Sequence, residues 1–92
     1  PIVLEVVTRI STSGGRHWGI NVGNYRSRGA AEAVLLRTVL SELGTLEGSL
    51  RKVVKQKTGF DANFYGMTRE AAALACRRLT ARKQTCSTIG PS

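Results

Sequence analysis

Histidine is nearly absent from this chain of 92 residues: His17 is the only one, and there are just two cysteines, Cys76 and Cys86. One His and two Cys cannot supply the four ligands of a structural zinc site, so no metal is expected. His17 also has no partner nucleophile or carboxylate near it in sequence, which leaves a catalytic triad without support. Acidic residues are scarce too. There are six, and Glu32, Glu42, Glu47 and Glu70 fall on or beside helical stretches while Asp61 stands alone, so the paired carboxylates of a glycosidase are missing. No run approaches the roughly 20 apolar residues of a membrane-spanning helix, and no basic-then-apolar leader opens the chain, so direct membrane insertion is not expected. Opening on Pro1 rather than Met, the chain reads as a piece of a longer protein.

What is abundant is positive charge. Fourteen Lys and Arg, ten of them Arg, against six acids give a formal +8 and a pI near 10.6. The charge is dispersed and the hydrophobic content is an ordinary 41%, so this is a folded basic domain rather than a disordered arm. Its length allows one core, and a chain this short buries only about 60–65% of its unfolded surface, so a single covalent staple would matter.

Along the chain, Pro1 to Ile10 are apolar and β-branched, and Ser11-Thr12-Ser13-Gly14-Gly15 reads as a linker; residues 1–15 are an N-terminal segment that could add an edge strand. Trp18, Ile20 and Val22 then share one parity, with Gly19, Asn21 and Gly23 on the other, the pattern of a one-sided strand. Ser27 stands as an N-cap for a helix carrying Ala31, Leu35, Leu36, Val39 and Leu43, which Gly44 would stop. Leu50 to Lys57, basic around Val53-Val54, reads as a short strand. Thr58-Gly59 turns the chain into a strand in which Phe60, Ala62 and Phe64 alternate with Asp61, Asn63 and Tyr65. Thr68 caps a second helix with Glu70 in its first turn, Ala72, Ala75, Cys76 and Leu79 along one stripe, and Arg82 and Lys83 in its last turn. Cys86 to Ile89 reads as a last strand, and residues 91–92 as a tail.

After Gly15 the order is therefore β-α-β-β-α-β. Two such halves pack most simply as the ferredoxin-like arrangement, an α+β fold with a four-stranded antiparallel sheet and both helices on one face. The other face stays open, lined by Asn21, Asp61, Asn63, Tyr65 and, if Cys86 points inward, Ser87. Amides, a carboxylate, a phenol and a hydroxyl make either a merely solvated surface or a groove for a hydrogen-bonding ligand.

Two strings imitate penicillin-binding serine peptidases: Ser49-Leu50-Arg51-Lys52 fits S-x-x-K and Lys57-Thr58-Gly59 fits K-T-G. Their separation by only a few residues, in a domain far too small for that fold, makes them chance matches. Catalysis is not indicated and no cofactor is expected. RNA binding is the rival raised by charge and topology, but the RNA-recognition module stacks bases on outward aromatics of its central strands, whereas here Asp61 and Asn63 point outward and the phenylalanines inward. Nucleic acid is not the expected partner.

The string from Trp18 through Gly-Ile-Asn-Val-Gly-Asn to Tyr25-Arg-Ser27, continued by Ala31-Glu32, resembles the opening signature of the SPOR domain, and Phe60-Asp-Ala-Asn-Phe-Tyr-Gly66-Met-Thr68 resembles its counterpart in the second half. The likeness covers residues 16–90. The run from Cys76-Arg-Arg-Leu79 to Cys86 is similar to the SPOR segment at the C-terminal end of alphaproteobacterial D-alanyl-D-alanine carboxypeptidases. The resemblance implies a non-catalytic periplasmic module that binds peptidoglycan glycan strands, preferentially those denuded of stem peptides, and accumulates in the cell envelope at the division septum. It places glycan on the open sheet face, with Asn21 at the family's groove amide and Asn24 after the motif glycine. Many members have G-P-F where this chain has Gly66-Met67-Thr68.

Acetamido groups would pair with amide side chains, and the lactyl carboxylate of a denuded strand with an Arg fork, for which Arg26, Arg28 and Arg51 are the candidates. Phe60 is a further candidate for glycan contact, while Trp18 and Tyr25 read as core. The isolated domain is expected to be monomeric. Cys76 lies on the core stripe of the second helix with the last strand beneath it, so an inward Cys86 would reach it; a Cys76–Cys86 disulfide is expected, and it suits an oxidising compartment.

Overall fold

A computed structural model describes residues 15–91. The expectation of an added edge strand in residues 1–10 and the C-terminal Ser92 therefore lie outside the described residues. The elements are β1 (Trp18–Tyr25), α1 (Arg28–Ser41), a one-turn α2 (Leu43–Leu46), β2 (Leu50–Gln56), β3 (Gly59–Met67), α3 (Arg69–Ala81) and β4 (Ser87–Ile89). The strands form one antiparallel sheet in the order β2-β3-β1-β4. The α1 helix packs on β1, β3 and β2, and α3 on β1 and β4. This is the expected βαββαβ fold with both main helices on one face.

Local chemistry explains the boundaries. The hydroxyls of Ser27 and Thr68 accept from the backbone N–H of Ala30 and Ala71, each 3.1 Å away, meeting orphan donors at the two helix starts. The buried face of α1 is Ala31, Val34, Leu35, Thr38 and Val39, and that of α3 is Ala72, Ala75 and Leu79. The small residues of α3 let it lie close on β1, where Ile20 and Val22 are fully buried.

Three expectations on the helices are corrected. Leu36 and Leu43 are 54% and 51% exposed: Val34 and Thr38, two positions to either side of Leu36 and so on the opposite side of the helix, take the core positions, and Leu43 lies beyond the end of α1. Gly44 does not stop α1; the helix ends at Ser41 and Gly44 sits within the one-turn α2. Arg82 and Lys83 lie beyond the last turn of α3, Arg82 as its C-cap and Lys83 in the left-handed region at φ 63°, while Arg78 is the cation in the last turn.

Glu42 shows why the chain breaks between α1 and α2. Its side chain is buried at the C-cap of α1 and is held by Arg78 Nε at 2.5 Å and Arg82 Nε at 2.7 Å. Nearby, Gln84 Nε2 donates to the buried Thr38 hydroxyl at 2.7 Å. Both ties join the end of α1 to the end of α3. The hydrogen bond from Arg78, helped by the one from Arg82, holds the Glu42 carboxyl below the ordinary carboxylate range, against burial, which acts the other way.

Cys76 and Cys86 form the expected disulfide, with Cα atoms 5.3 Å apart and a separation of 10 in sequence. Such a bond persists in oxidising surroundings and points to an extracytoplasmic location. No described helix is long and apolar enough to cross a membrane.

Replacing both cysteines by serine should cost about 2–3 kcal/mol by the loop-entropy model. For a domain of this size that corresponds to a melting midpoint lower by roughly 10–20 °C in a calorimetric scan, and the parent protein prepared without reductant should show no titratable thiol. A lowered folded-state pKa at Glu42 gives stability that is present above the unfolded value near 4.5 and lost as pH falls through the folded value. Thermal midpoints measured from pH 6 down to about pH 3 should therefore drop, and Glu42→Gln should both lower the plateau and flatten that drop.

Candidate functional site

The face of the sheet without helices is shaped by two irregularities in the β1–β3 pairing. The register runs Trp18 opposite Met67, then Ile20 opposite Phe64 and Asn21 opposite Asn63, and shifts again to Asn24 opposite Asp61. Each shift holds a glycine with positive φ: Gly66 at 75° in β3 and Gly23 at 121° in β1. The extra residue at Gly23 resets the alternation, so Asn21 and Asn24, three apart, lie on the same open face. Tyr25 is returned to the core side, where its hydroxyl donates to the Val22 carbonyl at 2.6 Å. Burial pushes the Tyr25 phenol up, with Arg37 pulling the other way. A Cβ on Gly23 would meet the Tyr25 hydroxyl at 2.5 Å.

On this face two hydrogen-bonded groups stand side by side. In the first, the Gly23 N–H donates to Asn21 Oδ1 at 3.0 Å, Asn21 Nδ2 to Asn63 Oδ1 at 2.7 Å, and Asn63 Nδ2 to the Tyr65 hydroxyl oxygen at 2.7 Å. The backbone N–H can only donate, so it fixes the orientation of both amides in turn. Tyr65 accepts at the end of the series and its own O–H proton is left to donate outward. In the second group, Asn24 Nδ2 and Gln56 Nε2 each donate to one oxygen of Asp61, at 2.9 and 3.1 Å. That end presents the Asp61 carboxylate and the two amide carbonyls as acceptors. The face therefore offers a donor at the Tyr65 end and acceptors at the Asp61 end.

The remaining strands complete it. Ser87 of β4 is exposed opposite Asn21, and in β2 the residues opposite Tyr65, Asn63 and Asp61 are Leu50, Lys52 and Val54. Leu50, Arg51, Lys52 and Tyr65 line a shallow hollow of about 510 Å³.

The structure thus brings Asn21, Asn24, Asp61, Asn63, Tyr65 and Ser87 together on one face, with two qualifications. Asn63 is only 4% exposed, so it acts as the buried link that positions Asn21 and Tyr65 rather than as a ligand contact. Phe60 is not on this face: it pairs with Tyr25 and Lys55, packs against the core, and has Arg28 and Lys55 within 5.4 and 5.6 Å of its ring centre. Its parity with Ala62 and Phe64 puts it on the helix side. Trp18 packs beside the core as expected, with Arg69 5.7 Å from its ring centre.

Two of the arginine candidates fall elsewhere: Arg28 lies over Phe60, and Arg26 is exposed between β1 and α1. Arg51 pairs with Phe64, on the helix-side parity, yet it borders the hollow beside Tyr65 as well as the groove toward α1. Among the described residues of β2, Lys52 is the cation whose parity faces the open side. Sequence reasoning missed Lys52, Leu50 and Gln56 because β2 is basic on both parities, and only its register with β3 assigns each residue to a side. Ser49 and the Lys57-Thr58-Gly59 string lie at opposite ends of β2, and the Ser49 hydroxyl donates to the Leu46 carbonyl at 2.6 Å. Among the described residues no group of three His, Cys, Asp or Glu could hold a metal ion.

Comparison with protein-family models, with curated proteins and with solved structures returns no match to this chain.

Removing Asn63 should show its linking role as a stability loss. Asn63→Ala leaves buried neighbours unpaired and should cost about 1–3 kcal/mol in urea unfolding, whereas Ser87→Ala, at an exposed position, should stay within about 0.5 kcal/mol of the parent.

Proposed function

We propose that this chain is a non-catalytic module that binds peptidoglycan glycan strands along the open sheet face. In this reading it belongs with the SPOR domains that its sequence resembles, prefers strands denuded of stem peptides, acts in the periplasm and directs a cell-wall enzyme or division protein to the division septum. The observation that carries the reading is the Gly23-Asn21-Asn63-Tyr65 series, in which a backbone N–H sets two amides so that the phenol oxygen accepts and its O–H is left to donate.

A preset donor suits the acetamido carbonyls that recur along a glycan strand. The acceptors Asp61, Asn24 and Gln56 suit sugar hydroxyls and acetamido N–H groups, and the hollow at Leu50 and Tyr65 suits the apolar side of a sugar ring. Lys52, beside Asn63 and Tyr65, is placed for the lactyl carboxylate that removal of a stem peptide exposes. The disulfide agrees with an oxidising periplasm. The face holds one aromatic, Tyr65, which is poor provision for the base stacking that single-stranded RNA needs.

Sedimentation with purified sacculi tests this. The chain should pellet with amidase-treated sacculi and less with untreated ones, and Tyr65→Phe, which keeps the ring and deletes the donor, should weaken retention about 2- to 10-fold. No sedimentation with amidase-treated sacculi overturns the reading, and a salt-sensitive gel shift with single-stranded RNA would replace it with RNA binding.

A further inference from the structure

The rim of β2 that faces away from β3 carries a second surface, which shares Arg51 and Lys52 with the border of the open face. β2 ends the strand order β2-β3-β1-β4, and its seven residues pair only with β3 among the described residues. On the helix side, Arg51, Lys52 and Val53 form one wall of a groove of about 340 Å³, and Arg28, Glu32, Leu35 and Leu36 of α1 form the other. Leu36 at 54% and Leu40 at 63% exposure stand one turn apart beside it. Lys55 and Arg28 meet over Phe60 at one end. The surroundings of the rim thus hold four cations, Arg28, Arg51, Lys52 and Lys55, against the single Glu32.

From this we infer that the β2 rim and the β2–α1 groove receive an extended acidic segment of a partner protein, in which Asp or Glu alternates with aliphatic residues. An unpaired strand rim presents backbone N–H and C=O groups that only another extended backbone can pair in series. Alternate side chains of such a strand would point into the groove, where Leu35, Leu36 and Val53 provide an apolar floor and Arg28 and Arg51 a positive rim.

Lysines on an edge strand ordinarily discourage pairing, but the same charges select for a strand of opposite sign, and simple edge protection leaves the uncovered leucines without a purpose. A second copy is a poor occupant, because β2 against β2 would set Arg51, Lys52 and Lys55 facing like charges. Residues 2–10 of this chain carry one Glu and one Arg and offer no complementary charge. A lipid headgroup would meet the cations but leave the backbone rim unpaired.

The test uses the full chain and a fluorescein-labelled peptide of alternating Glu and Val, followed by fluorescence anisotropy and by amide hydrogen exchange. Controls are a Gln-for-Glu peptide and a peptide of identical composition with its glutamates clustered. The alternating peptide should bind saturably and at least about tenfold more tightly than either control, and should slow exchange at β2 amides. Arg51→Glu combined with Lys55→Glu should weaken it at least about tenfold; if that variant fails to fold, the peptide series and the exchange map on the parent chain still decide.

Equal binding of the clustered or neutral peptide overturns the inference. So does the absence of saturable binding. So do β2 amides already protected in the free chain, which would mean that the chain's own N-terminal residues or a second copy holds the rim, and so does protection of this surface by anionic phospholipid vesicles but not by the peptide. Sacculus sedimentation is read with the Tyr65→Phe variant and peptide binding with the peptide series and the exchange map on the parent chain, so the two proposals fail separately.

Discussion

The pairing of β1 with β3 is the interaction on which both sides of this sheet depend. These two strands are central, and their inward residues Ile20, Val22, Ala62 and Phe64 are fully buried, with α1 resting on both strands and α3 on β1. The same pairing, shifted at Gly23 and Gly66, decides which polar side chains meet on the opposite face. A β1 that kept strict alternation would send Asn24 into the core and Tyr25 out to solvent. The shift at Gly23 is therefore worth more than the local hydrogen bond it disrupts, since it converts a single outward amide into the two polar groups that meet across the strands.

A charge of +8 looks at first like provision for a polyanion. Its distribution is otherwise. Arg78 and Arg82 are committed to Glu42, Arg69 lies beside Trp18, Arg28 and Lys55 lie beside Phe60, and Arg51 borders the groove on the helix side. The long guanidinium and ammonium stems cover aromatic and apolar surface that so small a domain has too little chain to bury. Among the described residues the open face has Lys52, with Arg51 at its border, beside the Asp61 carboxylate and a set of neutral amides and hydroxyls, so its charge is low and mixed in sign.

Much of this was legible in the sequence where periodicity and capping agreed. Ser27 and Thr68 cap where their hydroxyls precede an apolar stripe, the parity of Ile20 and Val22 is kept, and the Cys76 stripe position leads to Cys86. What was not legible arises from contacts between distant segments. Nothing local marks Glu42 as buried, since its partners lie 36 and 40 residues away. Leu36 and Val34 differ in exposure although both fit a helical stripe, because the direction of α1 over the sheet decides which is covered. Phe60 was ambiguous only while the start of β3 was open; once Gly59 begins the strand, its side follows from Ala62 and Phe64. Parity places Asn63 on the open face, but its burial by neighbouring polar side chains cannot be read from parity.

The two ends of the molecule divide the work. Toward the helix ends, Glu42 with Arg78 and Arg82, Thr38 with Gln84, and the disulfide at Cys86 tie the close of α1 and the close of α3 to the rest of the chain. The open face makes no such contribution; its amides and hydroxyls are paired with one another at a net gain that is small per bond. Holding stability on the helix side leaves the sheet side free to keep polar groups fixed in direction without being covered. A side chain that is already oriented loses little entropy when a ligand arrives, and the Gly23 N–H supplies that orientation from the backbone, the part of the chain least able to yield.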